Sequence, residues 1–260
     1  MPARGALHPH APGLWEPVPP SFATALDDAA TAAAGPAGSE RSVRCVRHED
    51  RVDLRAHRPA GSTLDDRALL HSAGAALLDA RVAVAASGWA AEVDRLAAPD
   101  DPDLLAVLRP VDGPPDPALA ALALPAPECA DAPDCDRGRL PPGLIRRLGV
   151  AARDEETDLL LVRGGSAPLL ERLGRMSGAA DRAGLRGLLL STRDDDAYAW
   201  LRTGEAQQRL SRQLARQGWT AEPVAALTGA SPARAELRAE LTWERHPQAL
   251  LLLRPTGQEP

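Results

Sequence analysis

The feature that most constrains this chain is a frame it carries twice. Residues 74–92 read GAALLDARVAVAASGWAAE and residues 204–222 read GEAQQRLSRQLARQGWTAE. In each copy the first glycine precedes a Gly-Trp pair by 14 residues, and an Ala-Glu pair follows. Two further pairs of segments flank the frame in the same order. PVPPSFATALDDAA at 17–30 matches RLPPGLIRRLGVAA at 139–152 at an offset of 122, and DPDLLAVLRP at 101–110 matches HPQALLLLRP at 246–255 at an offset of 145. Ordered matches at growing offsets read as one duplicated unit whose second copy has gained insertions.

Each unit predicts helix, one or two strands, long helix, strand. The paired prolines suit a helix entry, because proline is tolerated in a first turn. SVRCV and RVDLRA around His48-Glu49-Asp50 predict a hairpin, and TDLLLVRG and LRGLLLST predict strands on either side of a helix near 167–181. DPDLLAVLRP and HPQALLLLRP are apolar runs closed by proline and read as short buried strands. SPARAELRAEL at 231–241 reads as an added helix, with Ser231 as cap and Pro232 in the first turn. The stretch 111–136 is rich in Pro, Ala and Asp and reads as a linker. The expected organisation is therefore a flexible tail at 1–14, a first half at 15–110, the linker at 111–136 and a second half at 137–260.

The two long helices differ. From Arg67 to Ser87 the first is almost wholly Ala, Val and Leu, with Asp79 and Arg81 as its polar exceptions, so burial on most sides is expected. The second places Gln207, Gln208, Arg209, Arg212 and Gln213 off its apolar face, and a solvated polar face is the expectation. His71 reads as a core or interface histidine, and Asp194-Asp195-Asp196 as capping residues ahead of the second long helix.

Composition narrows function mainly by exclusion. The 260 residues carry a net charge of −6 and no lysine. No block of positive charge stands apart from carboxylates, which argues against a nucleic-acid partner. No stretch reads as the roughly 20 apolar residues of a membrane span, and the first residues lack the apolar core of a signal peptide. The expectation is thus a cytoplasmic chain without a membrane partner. Cys45, Cys129 and Cys135 are an odd set that fits reduced thiols, and their spacing is no zinc motif. No metal site is expected, and no catalytic residue stands out.

With these segments laid out, the chain resembles the Acg-type branch of the FMN-dependent nitroreductase superfamily. The likeness runs through RVDLRAHRP and LLHSAGAALLDARVAVAASGWAAEVDRLAAPDDPDLLAVL, then LLLSTRDDDAYAWLRTGEAQQRLSRQLARQGW and HPQALLLLRP, about half of the chain. The resemblance implies an α+β fold with mainly antiparallel sheets packed by helices, two fused nitroreductase-like halves forming an intrachain pseudo-dimer. It implies FMN as cofactor, an NAD(P)H oxidoreductase activity on a small acceptor, and a monomer or homodimer. A flavin phosphate needs cations, and Arg137, Arg139, Arg202 and Arg254 are the candidates to hold it. The chain departs from the family where AGPAGSERSVRCV lacks the Asn, Gln and Trp of the usual flavin-binding segment. A flavin-free relative serving as a ligand-binding or protein-interaction scaffold is therefore the alternative, and an enzyme that reuses the cleft for other chemistry is a third reading.

Overall fold

A computed structural model describes residues 21–35, 42–58, 65–124, 140, 143–162, 186–224, 232–241 and 244–256. Helix α1 (Phe22–Ala34) starts where Ser21 accepts a hydrogen bond from the Thr24 amide. Strands β1 (Val43–Arg47) and β2 (Val52–Ala56) form the expected hairpin, followed by the long helix α2 (Asp66–Ala86) and strands β3 (Ala90–Arg95) and β4 (Leu104–Val111). Helix α3 (Pro117–Ala123) comes next, then α4 (Leu144–Asp154), β5 (Asp158–Val162), β6 (Arg186–Thr192), the long α5 (Ala197–Ala215), β7 (Trp219–Pro223), α6 (Pro232–Leu241) and β8 (His246–Pro255). The helix expected near 167–181 lies outside the described residues, as do the paired prolines, the tail and the linker beyond residue 124.

The architecture is α+β with two antiparallel four-stranded sheets. Their strand orders are β1-β2-β4-β3 and β5-β6-β8-β7, the same order twice. Both sheets even break register at a comparable place, between Leu54 and Arg55 where β2 meets β4, and between Leu190 and Ser191 where β6 meets β8. The first sheet and α1 and α2 enclose Leu26, Leu54, Leu69, Leu77 and Leu108, a core that also takes in Leu201 from α5. The second sheet, α4 and α5 enclose Leu148, Leu188, Leu210, Leu214, Trp219 and Leu251.

The two glycines of the repeated frame do different work. Gly88 and Gly218 sit at φ 82° and 73°, the left-handed turn that ends a helix and that glycine adopts without steric cost. Trp89 and Trp219 follow at once and pack into the cores, Trp89 edge-on to Phe22 at 5.5 Å between ring centres. The first glycines meet each other. A Cβ on Gly74 would stand 2.9 Å from the Gly204 Cα, and one on Gly204 would stand 2.2 Å from the His71 carbonyl oxygen. Helices α2 and α5 therefore cross in backbone contact at the first frame position, where both copies lack a side chain.

Part of the stretch read as linker is ordered: Asp116 caps α3 by accepting from the amides of Ala118 and Leu119, and Pro117 opens the helix. Leu119 and Leu122 then cover Leu78, Val82 and Ala85 of α2. This completes the burial of α2, the one described helix long and apolar enough to cross a bilayer, with 72% of its most apolar window buried inside the protein. A core position accounts for that apolarity.

Candidate functional site

Of the five residues expected on a solvated face of α5, Arg209 is buried and Gln207, Gln208, Arg212 and Gln213 are half-buried. Arg202, Glu205 and Arg209 are all buried there. Glu205 is joined to Arg95 by a bond of 2.6 Å and to Arg81 and Arg202. Glu155, just past the end of α4 and equally buried, takes Arg81, Arg202 and Arg209 at 2.9, 2.8 and 2.7 Å. Asp154 and Glu156 complete the set from the solvent side, against Arg209 and Arg202. Four guanidinium groups thus meet four carboxylates, and the burial that the charges would otherwise resist is compensated. Burial works to raise the Glu205 carboxyl, but the Arg95 hydrogen bond and the charges of Arg81, Arg95 and Arg202 outweigh it and hold the group below its ordinary value.

A second crossing contact joins the same helices. Asp79, buried in α2, accepts from Gln208 at 2.8 Å and from Arg212 Nε and Nη2 at 2.9 and 2.8 Å. Both polar exceptions of the apolar helix, Asp79 and Arg81, are therefore partnered across the α2–α5 contact.

These geometries give the partners of two of the four arginines singled out for a flavin phosphate. Arg202 is spent on Glu155, Glu205, Glu156 and the Asp154 carbonyl oxygen. Arg254, near the end of β8, is paired with Glu222 of neighbouring β7. Neither fits a phosphate without giving up carboxylates it already neutralises. Arg137 and Arg139 lie outside the described residues, as do Cys129 and Cys135.

A cavity of about 310 Å³ opens between the start of α2, the β3–β4 turn and the start of α5. Leu69, Leu70, Leu96, Leu105 and Trp200 form most of its apolar wall, and Arg58, Asp66 and Asp101 stand at its polar positions. Trp200 is held in place twice: its Nε1 donates to Asp195 at 2.8 Å, and the Arg67 guanidinium lies over its ring, 4.5 Å from the centre. Asp195 also receives Arg67 and Gln248. Burial pushes the Asp195 carboxyl up, but hydrogen bonds from Trp200, Arg67 and Gln248 and the Arg67 charge bring it down to about 2. Of the three aspartates, Asp196 is the cap expected, accepting from the Ala199 amide at 2.8 Å. Asp195 instead organises the wall of the cavity.

The sequence reading did not single out Trp200, Arg67, Gln248, Glu155, Glu205, Arg81 or Arg95 for a site. One signal was present: Glu205 occupies the frame position of Ala75, a charge set beside the glycine crossing. Among the described residues no group of His, Cys, Asp and Glu is arranged to hold a metal. A scan against protein-family models finds no match to the chain, and a search of curated proteins finds none either.

Proposed function

We propose that the chain is a fused two-half protein of the nitroreductase type, an intrachain pseudo-dimer, and that the cavity beside Trp200 binds a planar heteroaromatic ligand. One observation carries the ligand part: an indole fixed by a hydrogen bond and a cation, set in an otherwise aliphatic wall. An aromatic surface that is already immobile loses little side-chain freedom when a ring packs on it, and ring pairs add to the energy of burial. The pseudo-dimer part is supported by the doubled strand order and the glycine crossing.

FMN is the ligand the family resemblance names, and bound flavin would supply hydride transfer from NAD(P)H to a small acceptor. In that reading Arg137 and Arg139 hold the phosphate, because Arg202 and Arg254 are committed to carboxylates. That commitment favours the second reading, a flavin-free binder that kept the scaffold.

The visible spectrum of the purified protein and a titration with FMN and with riboflavin separate the readings. Flavin absorbance, or FMN bound more tightly than riboflavin with the difference removed by Arg137→Ala and Arg139→Ala, supports the flavoprotein. Colourless protein that takes up neither compound eliminates it. Riboflavin binding that quenches the wild type but not Trp200→Leu locates a ring in this cavity, and quenching equal in both places it elsewhere.

A further inference from the structure

The start of α2 buries a second polar cluster, distinct from the arginine–glutamate network. Arg67 is 3% exposed. One of its terminal nitrogens is paired with Asp195, and the other donates to the Gln248 side-chain oxygen. Gln248 in turn donates to the Thr192 hydroxyl at 2.6 Å. Asp195 also faces Arg234 Nη2 of α6 at 3.6 Å and His246 Nδ1 at 3.8 Å. Asp65, whose charge also acts on Arg67, and Asp195 are the carboxylates that face these two guanidinium groups.

Hydrogen-bond donors are in excess as well. Arg234 Nη1 is buried with no acceptor among the described residues. His71, one helical turn beyond Arg67 and on the same face of α2, is 6% exposed, and neither of its ring nitrogens has a partner there. A buried donor without an acceptor has given up its water with nothing in return, a larger penalty when it is charged, so two at one place need a physical reason. Burial and the charges of Arg67 and Arg234 keep His71 neutral, with its pKa lowered to about 4. At neutral pH it therefore offers one N–H. Arg234, Asp195 and His246 keep 21%, 25% and 27% of their side-chain surface open, so the cluster is reached from solvent on that side.

We propose that His71 and Arg234, beside the Arg67–Asp195 pair, form a binding site for a small oxyanion, a carboxylate or a phosphate group. Such a group supplies acceptors to the orphaned Arg234 and His71 donors. A cation meets like charge here, and an apolar ligand leaves the donors unpaired. The site does not rest on a ligand in the neighbouring cavity, although Trp200 borders both.

The test is thermal unfolding of the full chain at neutral pH with inorganic phosphate or acetate, each compared with chloride at equal ionic strength. Phosphate or acetate raises the Tm of the wild type beyond the chloride control, and Arg234→Gln weakens that anion's binding by about tenfold or more, as loss of a charge-assisted hydrogen bond requires. Arg234 is on an outer helix and partly exposed, so the variant folds, which far-UV circular dichroism checks. Arg109→Gln, at the exposed pair with Asp94, leaves the response intact. In a second readout, NMR titration of the His71 ring, saturating phosphate raises the pKa of this residue. FMN that competes with phosphate where riboflavin does not identifies the oxyanion as part of a larger ligand, whereas failure of both to compete identifies a free anion. Wild-type protein that responds identically to phosphate, acetate and chloride overturns the proposal. So does an Arg234→Gln variant that keeps the full response.

Discussion

Gly74→Ala should destabilise the protein, although alanine is the better helix former. A Cβ at Gly74 would lie 2.0 Å from the Leu201 carbonyl oxygen and 2.7 Å from the Glu205 amide nitrogen, both backbone atoms of α5. Carbon and oxygen in contact prefer about 3.3 Å or more, so α5 must retreat by more than about 1 Å. Overpacking of this kind costs about 3 kcal/mol or more when the neighbour is backbone and cannot change rotamer. The same retreat stretches the bonds from Arg81 to Glu205 and from Gln208 and Arg212 to Asp79. Helix propensity returns about 1 kcal/mol, which leaves a net loss of at least about 2 kcal/mol. Urea unfolding followed by circular dichroism should show a lower midpoint at unchanged slope. Gly149 on α4 supplies the opposite sign: a Cβ there meets nothing within 4 Å, so Gly149→Ala should gain up to about 1 kcal/mol. If Gly74→Ala and Gly204→Ala raise the midpoint as Gly149→Ala does, the helices do not cross in backbone contact and the reasoning fails.

Glu205→Gln leaves Arg81, Arg95 and Arg202 facing a neutral amide and should cost about 3–5 kcal/mol in the same assay. The Glu205 carboxyl is held below its ordinary value of 4.5, so its contribution is present above that pH and lost as pH falls through the folded value; the variant should show a shallower acid transition. His71 has the same sign by a different route: its pKa is 6.5 in the unfolded chain and about 4 when buried, so the unfolded state binds the extra proton between those values and stability rises with pH across that window. The span corresponds to on the order of 3 kcal/mol, and His71→Asn should flatten it. Arg254→Ala removes only a partly exposed pair with Glu222, so stability should change by less than about 1 kcal/mol and flavin uptake, measured by titration, should not change at all.

The parts of the fold that were legible in the sequence are those set by local chemistry. A glycine followed by tryptophan at the end of a periodic run marks a helix stop whatever lies around it, and the two runs ended by proline could only be short strands. Even the linker held a readable helix, since Asp116-Pro117 is a cap and first turn, although the surrounding Pro and Ala content is equally that of an extended linker. The polar face of α5 was not legible, because arginine and glutamine on a helix look alike whether they meet water or carboxylates. Their partners are remote in the chain: Glu155 is 54 residues from Arg209, and Arg95 is 110 from Glu205. No window of sequence contains both ends of such a pair.

The difference between the two copies is what fixes how they meet. Two identical apolar helices crossing at glycines could slide or turn with little change in buried area, since hydrophobic contact carries no direction. In this chain α2 carries, beyond Arg67 at its start, the inward-facing charges Asp79 and Arg81, and α5 answers each with the opposite sign: Arg212 for Asp79, Glu205 for Arg81. A shift of α5 by one turn would take Gln208 and Arg212 away from Asp79 and leave Arg81 with Glu155 alone, and breaking such buried pairs costs several kcal/mol. The glycines set how closely the helices approach, and the charged residues that break the resemblance between the copies set where along their length they stop.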